Sequence, residues 1–222
     1  MKLAIIGDGR MGRALRELAP VHGFEVAAFL GAEAIRPRGV TGDLMGGADV
    51  AVEFTEAAAA PANIRGCALA GVPVVSGTTG WEGQRAAVEA DIRRGGGALL
   101  WSPNFSIGVH VFMQLVAEAA KRFRAAGGFD AHLVETHHAA KKDAPSGTAR
   151  RIQEIAGDLA VTSVRLGHVP GSHALTFDAP YEQVSLIHEA RDRRVFADGA
   201  LLAAKWMIGR RGVFTLDDML RS

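Results

Sequence analysis

Over its first hundred positions the chain alternates short apolar runs with longer Ala-rich stretches. The runs are Leu3 to Ile6, Val26 to Leu30, Val50 to Phe54, Val72 to Val75 and Ala98 to Trp101; between them lie Met11 to Leu18, Ala57 to Ala70 and Gly83 to Arg93. Each run is apolar on both faces, so periodicity alone does not separate it from a buried helix, but its shortness and flanking glycines assign it to a strand. Short buried strands spaced by helices predict a parallel sheet covered on both sides. The glycine-rich segment Gly31 to Gly47 has no periodicity and is expected to be a loop.

The pattern changes after Ser102 to Ser106. Apolar residues recur at helical spacing from Val109 to Arg124, and strand-like pieces follow at Ala131 to Val134, Leu175 to Phe177 and Gln183 to Ile187. A second, smaller α+β unit is expected from about Asn104. The Ala-rich stretch Phe196 to Met207 reads as a helix returning to the first unit, which divides the chain into 1–103 plus 194–222 and 104–193.

Composition narrows the partners. A chain of 222 residues buries a core without metal or disulfide staples. Its 25 basic and 24 acidic residues leave a formal charge of +1, too little to draw nucleic acid or anionic lipid over distance. The single cysteine, Cys67, excludes an internal disulfide and a multi-thiolate metal site. The apolar run in MKLAIIGDGR is too short for a secretory signal, and no apolar span approaches the roughly 20 residues that cross a bilayer. A soluble cytoplasmic protein is expected.

The segment LAIIGDGRMGRAL sets Gly7, Gly9 and Gly12 in a GxGxxG array between a strand and a helix. Gly7 permits a tight turn, Gly9 lets backbone approach a pyrophosphate, and Gly12 lets helix pack on strand, with the phosphates at the helix N-terminus. Asp8, beside Arg10 and Met11 in this loop, is unfavourable against phosphate and is expected to point away. At the end of the second strand, where an NAD-preferring enzyme often carries an acid, stands Gly31. Glu33 is displaced, while Arg36 and Arg38 are available to a 2′-phosphate. The choice between NADH and NADPH stays open, leaning to NADPH or dual use. Two more loops, Gly77-Thr78-Thr79-Gly80 and Ser102-Pro103-Asn104-Phe105-Ser106, follow strands on the edge where ligands sit in open α/β sheets; with the Gly array they favour contacts to ribose and nicotinamide.

Val134 to Ala149, VETHHAAKKDAPSGTA, concentrates the chemistry. Pro145 disfavours helix at Ala144, and Ser146 precedes a helical run, which makes it a natural N-cap. The SGT turn therefore offers free N–H groups to an anion, with Lys141 or Lys142 adding positive charge. His137 and His138 titrate near neutrality and can donate a proton. A capped helix after a solvated loop would also account for the segment. No metal is expected, because adjacent histidines on a strand face opposite ways and no further ligand is evident at suitable spacing.

The strings GDGRMGR, SGTTG, SPNFSIGV, ETHHAAKKDAPSGTA, VPGSH and HEARDRRVFADGALLAAKW, in this order, resemble the 4-hydroxy-tetrahydrodipicolinate reductase (dihydrodipicolinate reductase) family of bacterial lysine and diaminopimelate biosynthesis. The resemblance implies an α/β protein: a Rossmann-like dinucleotide-binding domain, completed by the C-terminal helix, and an α+β substrate domain whose open mixed sheet assembles a homotetramer. It implies coenzyme contacts at Gly7, Asp8, Gly9, Arg10, Met11 and Gly12, at Gly77, Thr78 and Thr79, and at Ser102, Pro103, Asn104 and Phe105. It makes His137 the proton donor and Lys141 a second one, and gives His138, Ser146, Gly147 and Thr148 to a cyclic dicarboxylate. Hydride would pass from NADPH or NADH to a conjugated imine-alkene, with hinges near Ser102 to Ser106 and Arg191 to Phe196. His188 and Arg193 match a family string but suit a structural role equally. The chain departs from the family in its shortness, in Gly31, and in Ala139 and Ala140, which stand where polar residues are common. Two other readings are a dehydrogenase of another amino or imino dicarboxylate and a non-catalytic NADPH sensor. Trp81, Trp101 and Trp206 are assigned to packing.

Overall fold

A computed structural model describes residues 1–36, 38–157 and 159–221. The chain begins β1 (Lys2–Ile6), α1 (Arg10–Leu18), β2 (Glu25–Leu30), α2 (Ala32–Ile35), β3 (Val50–Glu53), α3 (Ala60–Leu69), β4 (Val74–Ser76), α4 (Glu82–Arg94) and β5 (Ala98–Trp101). It continues α5 (Ile107–Ala126), β6 (Asp130–His137), α6 (Gly147–Ala156), β7 (Ala160–Arg165), β8 (Ser172–Ala179), β9 (Glu182–Glu189), α7 (Val195–Met207), β10 (Gly212–Phe214) and α8 (Leu216–Leu220). Two compact units result, Met1–Ser106 with Phe196–Ser222, and Ile107–Val195.

The first unit is an all-parallel sheet in the order β10-β5-β4-β3-β1-β2. Leu3, Ala4, Ile5 and Ile6 of β1 and Val50, Ala51 and Val52 of β3 are fully buried, which is why these strands are apolar on both faces. Strand order reverses at β1, so the crevice beyond the carboxyl ends of β1 and β3 is the place where such sheets bind ligands. On α4, Glu89 joins Arg85 and Arg93, each one turn away, and Arg93 and Arg94 end the helix with the charge its dipole favours.

The second unit is a mixed sheet in the order β7-β6-β8-β9, with β6 parallel to β7 and the other pairs antiparallel. Leu133, Leu175 and Phe177 face a core shared with Phe112 and Val116 of α5 and Ala149 and Ile152 of α6. The opposite face, carrying Val134 and Ile187, is exposed.

Three expectations change. The segment Gly31 to Gly47 is more than loop: it holds α2 and a 3-10 turn, Asp43–Met45, and Val40 and Met45 reach the core. Elements this short leave no periodic signature. The helix expected from Ala57 starts at Ala60, with Pro61 in the first turn, where its missing N–H costs nothing. The strands of the second unit run further than their apolar centres, because Glu135, His137 and His173 occupy inward positions and break the alternation.

Candidate active site

At the crevice of the first unit, Gly7 adopts φ 109°, and a Cβ there would lie 2.8 Å from the Phe54 carbonyl carbon; a Cβ at Gly12 would lie 2.9 Å from the carbonyl carbon of Gly7. Both close approaches exclude a side chain. Gly9 has open space where its side chain would be, and it caps α1 with no side-chain hydrogen bond, leaving the first N–H groups of the helix free. Arg10 and Met11 form the first turn. This cradle fits a pyrophosphate.

Beneath it, the fully buried Glu53 at the end of β3 gathers the neighbouring loops. Its Oε1 accepts from Thr55 N at 3.1 Å, from the Thr55 hydroxyl and from Thr78 Oγ1 at 2.9 Å, and its Oε2 accepts from Ser76 Oγ at 2.5 Å. The indole N–H groups of Trp81 and Trp101 both donate to the Thr78 carbonyl, at 2.8 and 2.9 Å. These tryptophans therefore fix the Gly77-Thr78-Thr79 turn as well as packing. Thr78 is committed internally, whereas Thr79 is exposed. After β5, Ser102 Oγ bonds the Asn104 carbonyl and Asn104 Oδ1 accepts from Ser106 N, which sets the turn through Pro103. Phe105 is 1% exposed and packs edge-on against Phe54, so its side chain belongs to the core.

In the second unit, His137 is the last residue of β6 and Glu135 lies two positions earlier on the same inward face. His173 of β8 pairs opposite Glu135 in the ladder, and Arg165 ends β7 opposite His137. Glu135 Oε1 accepts from Ser146 N at 3.1 Å, Ser163 Oγ at 2.7 Å and Arg165 Nη2 at 2.9 Å. Its Oε2 faces His137 Nε2 at 3.1 Å and His173 Nε2 at 3.9 Å. The two imidazole rings meet edge to face, 5.2 Å apart.

Burial alone would raise the Glu135 carboxyl, but the hydrogen bonds from Ser146, Ser163 and Arg165 outweigh it and hold the group at about 2. Burial lowers His137, opposed by the Glu135 charge and assisted by Lys141 and Arg165. Burial and the neighbouring His137 push His173 down to about 4. Among the described residues, five buried polar side-chain atoms lack a hydrogen-bond partner, and four of them, Glu135 Oε2, His137 Nε2, Arg165 Nε and His173 Nδ1, belong to this cluster. Unsatisfied groups so concentrated make the cluster a candidate place for a ligand or a proton.

The other residues expected here fall around the cluster. Lys141 Nζ bonds Asp143 Oδ1 at 2.7 Å and remains partly exposed. Ser146 caps α6, its Oγ accepting from Ala149 N at 3.1 Å, and Gly147 and Thr148 open the helix. His138 turns away from His137 into a separate recess with Ala139, Gly167, His168, Pro170 and Arg193. Sequence reasoning missed Glu135, Ser163, Arg165 and His173, which come from three strands and share no linear motif. Glu135, His137 and His173 each offer an atom within 4.8 Å of the others, the third ligand that linear spacing did not reveal. The Arg165 guanidinium already neutralises Glu135, however, so the set is better suited to hold a proton than a divalent ion.

The profile described as Dihydrodipicolinate reductase, N-terminus, matches residues 1–105, and that described as Dihydrodipicolinate reductase, C-terminus, matches residues 108–220. The 4-hydroxy-tetrahydrodipicolinate reductase of Methanoregula boonei is 35% identical over 251 aligned positions, spanning 99% of this chain and 97% of that protein. Its namesake from Methanospirillum hungatei JF-1 is 36% identical over 194 positions, 78% of this chain and 75% of that protein. The solved structure of dipicolinate-bound dihydrodipicolinate reductase from Paenisporosarcina sp. TG-14 shares the fold, with a TM-score of 0.79 over 97% of each chain at 20% identity. With both halves matched and the identity sustained over nearly its whole length, the chain belongs to the dihydrodipicolinate reductase family.

Proposed function

We propose that the Glu135–His137–His173–Arg165 cluster protonates substrate and that the Gly7–Gly12 crevice binds coenzyme. As a member of its family the chain is an NAD(P)H-dependent oxidoreductase that reduces 4-hydroxy-tetrahydrodipicolinate in lysine and diaminopimelate biosynthesis. The reduced nicotinamide, when bound, supplies hydride.

The chain's own residues do the rest. His137 delivers the proton. Its Nε2 is buried and lies 3.1 Å from Glu135 Oε2 without an aligned hydrogen bond. Glu135, held ionised by three donors, stabilises the imidazolium and keeps the ring ready to be recharged. Lys141, the more accessible cation, assists as a second donor and counters one substrate carboxylate. The N–H groups of Gly147 and Thr148 at the start of α6 receive the other carboxylate. Ser146 shapes that turn, because its hydroxyl caps the helix and its N–H is spent on Glu135. His138 contacts substrate from the adjoining recess.

The observation that carries this reading is a buried carboxylate whose second oxygen faces two histidines without satisfying either. A coenzyme-binding sensor has no use for such a group. In the same reading, unit Met1–Ser106 with Phe196–Ser222 binds coenzyme and unit Ile107–Val195 binds substrate and joins copies. The exposed face of the mixed sheet, with Val134 and Ile187, supports assembly as a homotetramer. The biosynthetic role supports a cytoplasmic location. No helix among the described residues is long and apolar enough to cross a membrane.

The test follows nicotinamide absorbance while a dihydrodipicolinate synthase feeds fresh product from pyruvate and aspartate semialdehyde. Oxidation of NADH or NADPH that depends on the synthase is the expected result. Silence with both coenzymes would reject the reductase reading.

A further inference from the structure

The residue that decides between NADH and NADPH is absent from its usual place. In sheets of this topology an acid at the end of the second strand holds the adenosine ribose of NAD, while an arginine nearby receives the 2′-phosphate of NADP. Here β2 ends at Leu30 and the next residue is Gly31, which has no side chain to offer. The space beyond Gly31 is nevertheless filled. A Cβ built on Gly31 would overlap Asp8 Oδ2 and lie 2.9 Å from Asp8 Cγ and 3.4 Å from Oδ1. The Asp8 carboxylate, reaching across from the loop after β1, sits where the first atoms of a Gly31 side chain would be. The Gly7 N–H donates to the Leu30 carbonyl at 2.8 Å and ties the two loops together at this point.

Nothing in the protein explains that carboxylate. Asp8 is exposed, and among the described residues its carboxylate takes part in no hydrogen bond or ion pair; only its main-chain oxygen accepts, from Arg13 Nη1 at 3.2 Å. An unpartnered carboxylate lies beside the residue that follows β2, and Gly31 is small enough to admit it. The two arginines that sequence alone offered to a 2′-phosphate are less well placed. Arg38 lies 3.7 Å from Asp43 and shares its charge with that carboxylate. Arg36 caps the far end of α2, roughly 7 Å of helix rise beyond Gly31.

We propose that Asp8 is the coenzyme-specificity residue of this protein: its carboxylate, seated over Gly31, accepts the adenosine ribose hydroxyls and repels a 2′-phosphate, so NADH is bound in preference to NADPH. This reading departs from the lean towards NADPH or dual use drawn from Arg36 and Arg38. The inference rests on the reading of the Gly7–Gly12 crevice as the coenzyme site. A 2′-phosphate brought up to that carboxylate is repelled, and at a partly screened site the like-charge repulsion is worth about tenfold or more.

The test is direct binding, independent of turnover: dissociation constants of NADH and NADPH from nicotinamide fluorescence, with ADP-ribose and its 2′-phosphorylated analogue as probes of the adenosine half alone. The wild-type protein is expected to favour NADH by about tenfold or more. Asp8→Ala and Asp8→Asn, substitutions at an exposed side chain, are each expected to weaken NADH, strengthen NADPH and cut the ratio at least roughly tenfold, with the same trend in the adenosine probes. Gly31→Ala, by displacing the carboxylate, should weaken NADH. Equal or tighter binding of NADPH by the wild-type protein overturns the proposal, as does an unchanged ratio in both Asp8 variants. Failure of the wild-type protein to bind either coenzyme is a different result and removes the coenzyme reading itself.

Discussion

Glu135 Oε2 lies 3.1 Å from His137 Nε2, both atoms are buried, and no aligned hydrogen bond joins them. The carboxylate is anchored through its other oxygen, so its charge is fixed in position while the histidine beside it is left free to gain or lose a proton. That division of labour governs how the cluster should respond to mutation and to pH.

His137→Gln removes the proposed proton donor and keeps the shape, so it should lower kcat by roughly a hundredfold or more with little change in KM, since the lost interaction belongs to the transition state. Steady-state kinetics with the coupled synthase supply the measurement; an unchanged kcat would take His137 out of the acid role.

Glu135→Gln should act through His137. The Glu135 charge raises the His137 pKa against the lowering effects of burial, Lys141 and Arg165, so its removal lets that pKa fall further. The alkaline limb of the kcat profile, where His137 loses its proton, should move to lower pH. A purely structural role for Glu135 would reduce activity at every pH without moving the limb.

The folded protein should lose stability as pH falls from about 6.5 towards 4. His173 has a pKa of about 4 in place of 6.5, so across this window the unfolded chain binds the proton that the folded chain refuses, and protonation favours unfolding. The full effect is up to about 3 kcal/mol by linkage. Glu135, held at about 2 against a usual 4.5, adds a second loss as pH falls below about 4.5. Urea unfolding at pH 7 and pH 4.5 tests the first window, and His173→Gln should flatten it.

Glu53→Gln should disturb coenzyme binding in a different way from the Asp8 variants. Glu53 clamps the loops after β3 and β4 through Thr55, Thr78 and Ser76, and both its oxygens are spent on these internal contacts. Both coenzymes should therefore weaken by a similar factor, and stability should drop by about 1–3 kcal/mol, the cost of setting an amide donor where one carboxylate oxygen accepted a buried hydrogen bond. A change in the NADH to NADPH ratio would contradict this assignment.

Ile187→Asp places a charge on the exposed face of the mixed sheet, where Ile187 is 62% exposed in the single chain. The expected outcome is a fall in molar mass by light scattering with an unchanged circular dichroism spectrum. A mass equal to that of the wild-type protein would exclude this face from the proposed assembly.

By itself the sequence determined the parallel sheet, the glycine crevice, the capped helix at Ser146 and the family, because each is written in neighbouring residues: buried runs bounded by turns, glycines at fixed spacing, a hydroxyl before a helix. Tertiary structure alone decided which side chains meet. Glu135 looks like one polar residue in a polar segment until strand pairing sets it opposite His173 and one ladder from Arg165. Asp8 and Gly31 are far apart in sequence until β1 and β2 lie side by side and bring a loop carboxylate over a bare Cα. Local order follows from local residues, whereas the field at a buried group is the sum over whatever the fold packs around it, and that sum is not a property of any one stretch of chain.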